Sequence, residues 1–452
     1  MLNNKTFNIG SRQKKNVATR AGERLIVATV ATLYFLALCF AYTGYLAQYE
    51  YLGYLQGNPS TLELFLCYLL IVAPIVFFRL EISTFHGFVF WQLYFFSYVP
   101  SSLFSVMQGR SANVMLLPLA LSLSMLLISF MPQVKAVKIA LHINVKAFWT
   151  AFAFLYVTCV TYAVYVFGSS LSIVAFSELY IQRKIGGDVS VGTYGGYAIG
   201  ALSGAFNPFL VAFGLVHRKW IAIVLGCAGQ IFVFATLAAK AAVVWIPITV
   251  IFYAILFRKE RVNGLALLAT TITLGFVIPL GLIEIIGQNK TELLDEFASL
   301  VLMRTYTLPG LFTGIYDDFF ARNDFTFYSH INVVGLILKY PYPLSIGEVI
   351  GEDMRLFMNA NANFFATDGI AAAGYGGVVF IGIVAGIVLR VIDSICTAPA
   401  RRLLCIASVP FVISLTNASL FATLLTGGGI LLVIMCCILP HTDVASHQQR
   451  PR

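Results

Sequence analysis

Charged side chains are scarce in this chain. Only 11% of its 452 residues are Asp, Glu, Lys or Arg, whereas 59% are hydrophobic and the mean hydropathy is +0.85. Soluble globular domains carry about a quarter charged residues and about half apolar ones. The composition therefore excludes an ordinary soluble protein. Because the apolar residues come in helix-length runs, it predicts an all-α polytopic membrane protein.

Metal-binding and disulfide patterns are also missing from the sequence. The eight cysteines fall in apolar runs or beside predicted cytoplasmic turns, outside the long polar segment 285–368. The chain has no D-x-D and no H-E-x-x-H motif. We therefore expect no disulfide framework, no metal and no cofactor.

The net charge of +9 raises the possibility of a nucleic-acid partner, but its distribution argues against one. Lysines and arginines cluster within residues 1–25, directly before an apolar run that starts at Ile26. That run is too long for the core of a signal peptide and has no clear cleavage site. We interpret 1–25 as a basic cytoplasmic tail and the run as an uncleaved membrane anchor.

About twelve apolar segments are predicted as membrane spans in a window of about 19 residues. Most basic residues between them fall on one side, which the positive-inside rule assigns to the cytoplasm together with 1–25 and 440–452. Nine spans fill 26–284 and three fill 369–439, with outer segments at 169–196 and 285–368. The predicted spans lie near 26–47, 61–78, 87–107, 113–131, 148–168, 197–216, 220–238, 241–257, 264–284, 369–389, 403–418 and 420–439.

The long outer segment 285–368 is predicted to contain short helices. Thr291 is a good N-cap for the first of them, and Arg304 lies near its C-terminal end. Pro309-Gly310 is expected to stop it. Arg304 then either complements the helix dipole at the membrane surface or acts in catalysis.

The stretch YDDFFARNDFTFYSHI follows in the same segment. Carboxylates, an arginine, a histidine and aromatic rings are the groups that hold sugars and transfer protons, although they also suit a solvated acidic surface. Acidic residues outnumber basic ones in 285–368, so an anion there depends on particular arginines. The candidate residues are Tyr316, Asp317, Asp318, Arg322, Tyr328 and His330, with Arg304 and Arg355.

Three basic residues outside this segment are further candidates. Arg183 and Lys184 either clamp a phosphate or lie in a solvated turn. Lys240 lies at or just inside the hairpin between two apolar spans. A lysine in that position indicates function by default, although its side chain can also extend to lipid headgroups.

The stretch MNANANFFATDGIAAAGYGG places three asparagines at alternating positions. The period of two predicts an extended segment with Asn359, Asn361 and Asn363 on one face, where they would line a sugar-binding floor. Asp368 is expected to cap the tenth span.

These features resemble the Wzy-type oligosaccharide repeat-unit polymerases of bacteria. The likeness lies in the topology and in the segments YGGYAIGALSGAFNPFLVAFGLV, ATLAAKAAVVW, DDFFARNDFTFYSHI and MNANANFFATDGIAAAGYGG, and it covers roughly 190–380 in detail. The R-x10-G spacing of some members is met by neither Arg183 nor Arg304. The resemblance implies a GT-C-like membrane glycosyltransferase of the bacterial inner membrane, acting at its periplasmic face in O-antigen, lipopolysaccharide or capsule synthesis.

The resemblance also implies a reaction. A chain carried on undecaprenyl or a similar polyprenyl pyrophosphate would be transferred to a hydroxyl of the next lipid-linked unit. Arg304, Arg322 and Arg355 would hold the pyrophosphate, with Arg183 and Lys240 at the membrane rim. Asp317, Asp318 or His330 would act as the base. The partners would be lipid-linked donor and acceptor, membrane lipids, a chain-length regulator and a flippase, with no nucleic acid.

Two alternatives remain open at this stage. An O-antigen ligase shares the plan, and Arg304 with Leu308 fits its R-x3-L pattern, but Pro341 stands where its H-x10-G pattern needs glycine. A transporter is favoured by the helix-breaking Asn207-Pro208 and the many glycines in the spans. The scarcity of ionisable residues deep in the predicted spans argues against it.

Overall fold

The computed structural model describes residues 6–110, 113–135, 144–172, 186, 189, 193–237, 241–256, 264–286, 299–356 and 359–440. Within these ranges the chain is helical and contains no strand. The α-helices are α1 (Thr6–Thr43), α2 (Thr61–Val72), α3 (Phe85–Leu93), α4 (Val99–Gln108), α5 (Leu116–Phe130), α6 (Val145–Phe167), α7 (Gly195–Ala201), α8 (Asn207–His217), α9 (Trp220–Leu237), α10 (Ala241–Leu256), α11 (Gly264–Ile286), α12 (Leu308–Phe320), α13 (Asn332–Gly335), α14 (Ile346–Asp353), α15 (Ala371–Ile395), α16 (Ala398–Ala407), α17 (Val409–Leu415), α18 (Leu420–Leu424) and α19 (Gly429–Ile438).

Six helical segments in the described ranges are long and apolar enough to cross a membrane. The pair α16 and α17, bent by 57°, makes a seventh if it is one crossing. Other apolar helices are shorter, and the 15 residues of α5 rise only about 22 Å against a hydrocarbon core of about 30 Å. The class predicted from composition agrees with this fold, and twelve spans stay a prediction. The six are Arg20–Thr43, Val145–Ser170, Gly195–His217, Gly264–Ile286, Phe365–Ile395 and Leu420–Ile438.

A buried rod lies at the centre of the fold. Helices α3 and α4 continue into one another through the π-helical turn Tyr94–Tyr98, and every side chain along this rod is buried. The hydroxyl groups of Tyr94 and Tyr98 donate to the backbone oxygens of Ile71 and Leu70 in α2, at 2.9 and 2.7 Å. The polar tips of the aromatic side chains are thereby satisfied inside an apolar core.

Helix α12 follows directly on the π-helical segment Ser299–Thr307 and packs along α4. The predicted stop at Pro309-Gly310 is wrong, because both residues lie in the first turn of α12. Pro309 is the second residue of α12, and proline is common at the first positions of an α-helix. A side chain on Gly310 would overlap the backbone of Pro100. Part of the predicted outer segment 285–368 is therefore a buried helix held tightly against α4.

The tenth predicted span is folded back on itself. The π-helical segment Phe365–Ile370 leads into α15, where Ala373 and Gly374 leave the helical conformation and Gly374 has φ of 60°. A side chain on Gly377 would overlap the carbonyl oxygen of Gly369, although a straight helix would separate these residues by about 12 Å. The two halves therefore pack side by side across the break.

The break at Ala373 and Gly374 leaves backbone carbonyls without partners in their own helix. The segment that follows α12 donates hydrogen bonds to them. The N–H of Thr326 donates to Ala371 O at 2.8 Å, and the N–H of Phe327 donates to Ala372 O at 3.1 Å. A buried carbonyl without a donor is costly, above all within a membrane protein. These two bonds make the broken helix and the segment beside it one structural unit.

Candidate functional site

The end of α12 brings a carboxylate between two arginines. Arg322 Nη2 lies 2.8 Å from Asp318 Oδ2, and Arg110 Nη1 lies 3.9 Å from the same oxygen. The Arg322 side chain is 58% exposed, that of Asp318 is 25% exposed and that of Arg110 only 12%. We call Arg110, Asp318 and Arg322 the arginine–aspartate cluster. It combines a proton acceptor with two cations and is open to solvent on one side.

Arg110 is the member of this cluster that the sequence reasoning missed. Gly109, with φ of 58°, ends α4 in the left-handed conformation directly before it. Arg110 Nη2 donates to the backbone oxygen of Gly53 at 3.1 Å. A single arginine in a short connection forms no local motif, so only its contact with α12 reveals it.

The two residues before Asp318 are buried. The Tyr316 hydroxyl donates to Ala360 O at 3.1 Å, and the Tyr375 hydroxyl donates to Asp317 Oδ2 at 3.4 Å. Tyr316 was predicted to contact substrate, but its complete burial instead makes it a tie to the segment before α15. Asp317 likewise connects α12 to the second half of α15.

His330 and Asp368 form a second pair close to the helix break. His330 Nε2 lies 3.2 Å from Asp368 Oδ1, and His330 Nδ1 lies 3.0 Å from Thr326 Oγ1. Asp368 is fully buried, and its other oxygen accepts the N–H of Leu420 at 2.6 Å. Both ring nitrogens therefore have protein partners. A role for His330 as base requires one of these bonds to open.

The predicted cap at Asp368 is wrong, because the helix already begins at Phe365. The side chain that bonds the first turn of this helix is that of Asn363, whose Oδ1 accepts the N–H of Ala366 at 3.1 Å. Asp368 instead lies inside the helix and caps the first turn of another one, α18, through Leu420. A hydrogen bond between a carboxylate and a helix far away in sequence cannot be predicted from the residues around that carboxylate.

Tyr328 lies beside this pair in a left-handed conformation, with φ of 65°. Its ring centroid is 5.8 Å from that of Phe380 and 6.3 Å from that of His330. Burial raises the pKa of Tyr328 to about 12, so its hydroxyl keeps the proton at neutral pH. That hydroxyl is buried and has no hydrogen-bond partner among the described residues, which is the condition a bound hydroxyl-rich ligand would relieve.

The three asparagines do not share one exposed face. Asn359 and Asn361 are exposed, and both amide oxygens lie so close over Gly347 that a side chain there would overlap them. Asn363 is fully buried, with its Nδ2 donating toward Pro309 O, Thr313 Oγ1 and Ser101 Oγ at 3.0, 2.7 and 3.0 Å. The expectation of a three-residue sugar-binding floor is thus wrong for Asn363. The other two remain at the surface.

The remaining predicted arginines lie on separate elements. Arg304 is half-buried in the last turn of the π-helical segment before α12. Arg355 is exposed, follows α14 and has φ of 53°. Neither has an ion pair with the arginine–aspartate cluster in the described structure. Arg183, Lys184 and Lys240 lie outside the described residues.

The described ranges contain no group of three or more His, Cys, Asp or Glu side chains arranged to hold a metal ion. Two cysteines, Cys396 and Cys437, have sulfur atoms that lie 3.2 Å apart. Cys396 directly follows α15 and Cys437 lies in the last turn of α19, well away in sequence from the arginine–aspartate cluster.

The fold defines the class of protein, an all-helical, multi-pass membrane protein. Comparison of the chain with protein-family models, with curated proteins and with solved structures gave no match in any of the three.

Proposed function

We propose that this protein is a membrane glycosyltransferase that joins oligosaccharide repeat units carried on polyprenyl pyrophosphate. The proposal rests on the likeness of segments within 190–380 to Wzy-type polymerases and on the arginine–aspartate cluster. In this proposal the chain crosses the inner membrane about twelve times, with both ends in the cytoplasm. The cluster then faces the periplasm, where O-antigen or capsule chains are extended.

One observation carries the proposal. The reaction needs a base for the acceptor hydroxyl and cations for the pyrophosphate that leaves. Asp318 and Arg322 supply one of each at 2.8 Å, at the partly exposed end of a buried helix. Anchoring on a rigid helix suits the precise placement that group transfer requires.

The reaction is written with these groups. The acceptor oxygen attacks the anomeric carbon of the donor glycan while the bond from that carbon to the pyrophosphate oxygen breaks. The electron pair leaves with the polyprenyl pyrophosphate, whose developing charge is stabilised by Arg322, with Arg304 and Arg355 as further candidate cations. The hydroxyl proton passes to the Asp318 carboxylate. His330, held by Asp368, positions the outer segment against the broken helix.

The test compares Asp318→Asn and Arg322→Gln with Asp324→Asn. Asp324 is an exposed acid a few residues further along the same segment, so it controls for loss of one surface charge. Each variant replaces the chromosomal copy, and extracted glycans are resolved by chain length. We expect the first two to reduce long chains by at least about 100-fold and the control to give the parental ladder.

The phenotype of a deletion strain separates the related activities. Loss of a polymerase leaves a single repeat unit on the lipid core, whereas loss of a ligase leaves none. Parental ladders from both cluster variants, with normal protein levels, would contradict the assignment of the site.

A transporter of lipid-linked oligosaccharide is the second candidate, because the structure contains interrupted helices. The segment Phe365–Ile395 is broken at Ala373 and Gly374, and α16 and α17 meet at 57°. Transporters commonly build substrate sites from such discontinuous helices. The two functions are distinguished with purified protein in liposomes that are supplied with lipid-linked repeat units. A polymerase forms polymer, whereas a transporter moves the lipid-linked units across the bilayer.

A further inference from the structure

Arg110 is a buried cation whose hydrogen-bonding groups are incompletely used. Its side chain is only 12% exposed, and its Nε is buried without a hydrogen-bond partner among the described residues. Its polar contacts with other described residues are the donation to Gly53 O at 3.1 Å and the ion pair with the Asp318 oxygen at 3.9 Å. A guanidinium group has five N–H donors, so several remain for a ligand.

The electrostatic position of Arg110 is correspondingly unfavourable. Burial lowers the pKa of its guanidinium below the ordinary value, and the nearby Asp318 carboxylate opposes this effect. A buried charge is costly unless it is paired at short range with good hydrogen bonds. At 3.9 Å the pairing with Asp318 is incomplete, because that oxygen is engaged by Arg322 at 2.8 Å.

The surroundings hold Arg110 in place. Gly53 has φ of 103°, and a side chain there would come within 2.9 Å of Ile315 Cδ1 and 3.4 Å of Arg110 Nη2. The backbone of Gly53 can therefore approach the guanidinium closely and fix its Nη2. By contrast, Arg322 is 58% exposed and is held mainly by Asp318, four residues earlier. One arginine is fixed and the other is free to change partner.

We propose that Arg110 and Arg322 form a phosphate-binding site in which the Asp318 carboxylate occupies the place of a phosphate oxygen until the ligand arrives. Phosphate offers several oxygens to both guanidinium groups at once, whereas Asp318 meets only Arg322 at short range. The ligand is a phosphate or diphosphate group. When this group binds, it replaces Asp318 as the partner of Arg322, and the carboxylate is then free to accept a proton.

This inference names the phosphate anchor of the proposed glycosyltransferase and rests on that function only for the identity of the natural ligand. Two sources of the group are possible in a membrane, a polyprenyl diphosphate and a phospholipid headgroup. They present the same chemistry to Arg110, and competition between them in one assay tells them apart.

The experiment measures binding of inorganic pyrophosphate to the full chain in phosphatidylcholine nanodiscs by isothermal titration calorimetry. We expect Arg110→Gln to weaken binding at least about tenfold and Arg110→Lys to weaken it less, since lysine keeps the charge but loses the planar donor set. Lys339→Gln removes an exposed positive charge of the same outer segment and should change affinity less than about twofold.

The Asp318→Asn variant tests the proposal by the direction of its change in pyrophosphate affinity. Removal of the competing carboxylate should tighten pyrophosphate binding at least about threefold, and a misfolded variant cannot produce that gain. Unchanged binding by Arg110→Gln, or binding by Asp318→Asn that is no tighter than wild type, would overturn the proposal. Failure of wild type to bind pyrophosphate would overturn it as well.

Competition then identifies the source of the phosphate. Displacement of pyrophosphate by farnesyl pyrophosphate supports a lipid-linked diphosphate, and displacement by added phosphatidylglycerol supports a headgroup site. Both outcomes support the site at Arg110. Arg110-dependent binding without polymer formation would refute the proposed glycosyl transfer alone, and normal glycan ladders without Arg110-dependent binding would refute the phosphate site alone.

Discussion

Asn363 offers the sharpest test of the structure, because its neighbours in the same motif serve as controls. Its amide nitrogen carries two hydrogens for the acceptors on Pro309, Thr313 and Ser101, and its oxygen accepts from Ala366. Three hydrogen bonds at about 1 kcal/mol each predict that Asn363→Ala lowers the free energy of unfolding by about 3 kcal/mol.

Exchange of Asn363 for aspartate separates hydrogen bonding from packing. Asn363→Asp conserves the shape, but a carboxylate cannot donate to the Pro309 oxygen and buries a charge. We expect it to destabilise the protein at least as much as alanine does. Asn361→Ala, two residues earlier and exposed, should cost less than about 0.5 kcal/mol.

The assay is unfolding of the purified protein by sodium dodecyl sulfate in mixed micelles, followed by intrinsic fluorescence. The three variants and the parent are compared at matched protein and lipid concentration. If Asn363→Ala and Asn361→Ala unfold at the same detergent fraction, the buried amide has no stabilising role. If Asn363→Asp is as stable as the parent, cavity formation rather than hydrogen bonding governs the site.

Two further predictions concern the folded-back helix and the thiol pair. Gly377→Ala should destabilise the protein by about 2 kcal/mol, because the added carbon overlaps the carbonyl oxygen of Gly369. Gly376→Ala, with nothing within 4 Å of the added carbon, should be neutral or slightly stabilising in the same unfolding assay, and equal effects would contradict the close packing. The sulfur atoms of Cys396 and Cys437 are 3.2 Å apart, so mild oxidation with diamide should link them. Peptide mapping by mass spectrometry detects that link, and its failure to form under conditions that oxidise other thiols would contradict the geometry.

The class of fold could be predicted because it depends on bulk composition. Apolar runs of helix length and sparse charge are properties of the whole chain, and the described helices agree with them. Residues that typically end a helix were less informative about where the helices begin and end. Pro309-Gly310 is typical of a helix end, yet both residues lie in the first turn of α12. Gly310 is needed there because a side chain would overlap the backbone of Pro100.

The candidate site was predictable in part, for the residues that share one helix or one segment. Asp318 and Arg322 are four residues apart and meet on the same face near the end of α12. Arg110 comes from a connection far away in sequence, and Asp368 bonds Leu420 rather than its own helix. Such pairings depend on tertiary packing, which local patterns in a single sequence do not reveal.

The contacts that close the broken helix also set an order of assembly. Thr326 and Phe327, which bond the carbonyls of Ala371 and Ala372, leave the ribosome first, since 45 residues separate Thr326 from Ala371. The broken helix cannot satisfy the carbonyls of Ala371 and Ala372 within itself. These carbonyls are bonded only when the helix packs against Thr326 and Phe327, which are synthesised earlier. A long insertion between Phe327 and Ala371 would delay the packing of these two segments, and the carbonyls of Ala371 and Ala372 would stay without hydrogen bonds for longer during biogenesis.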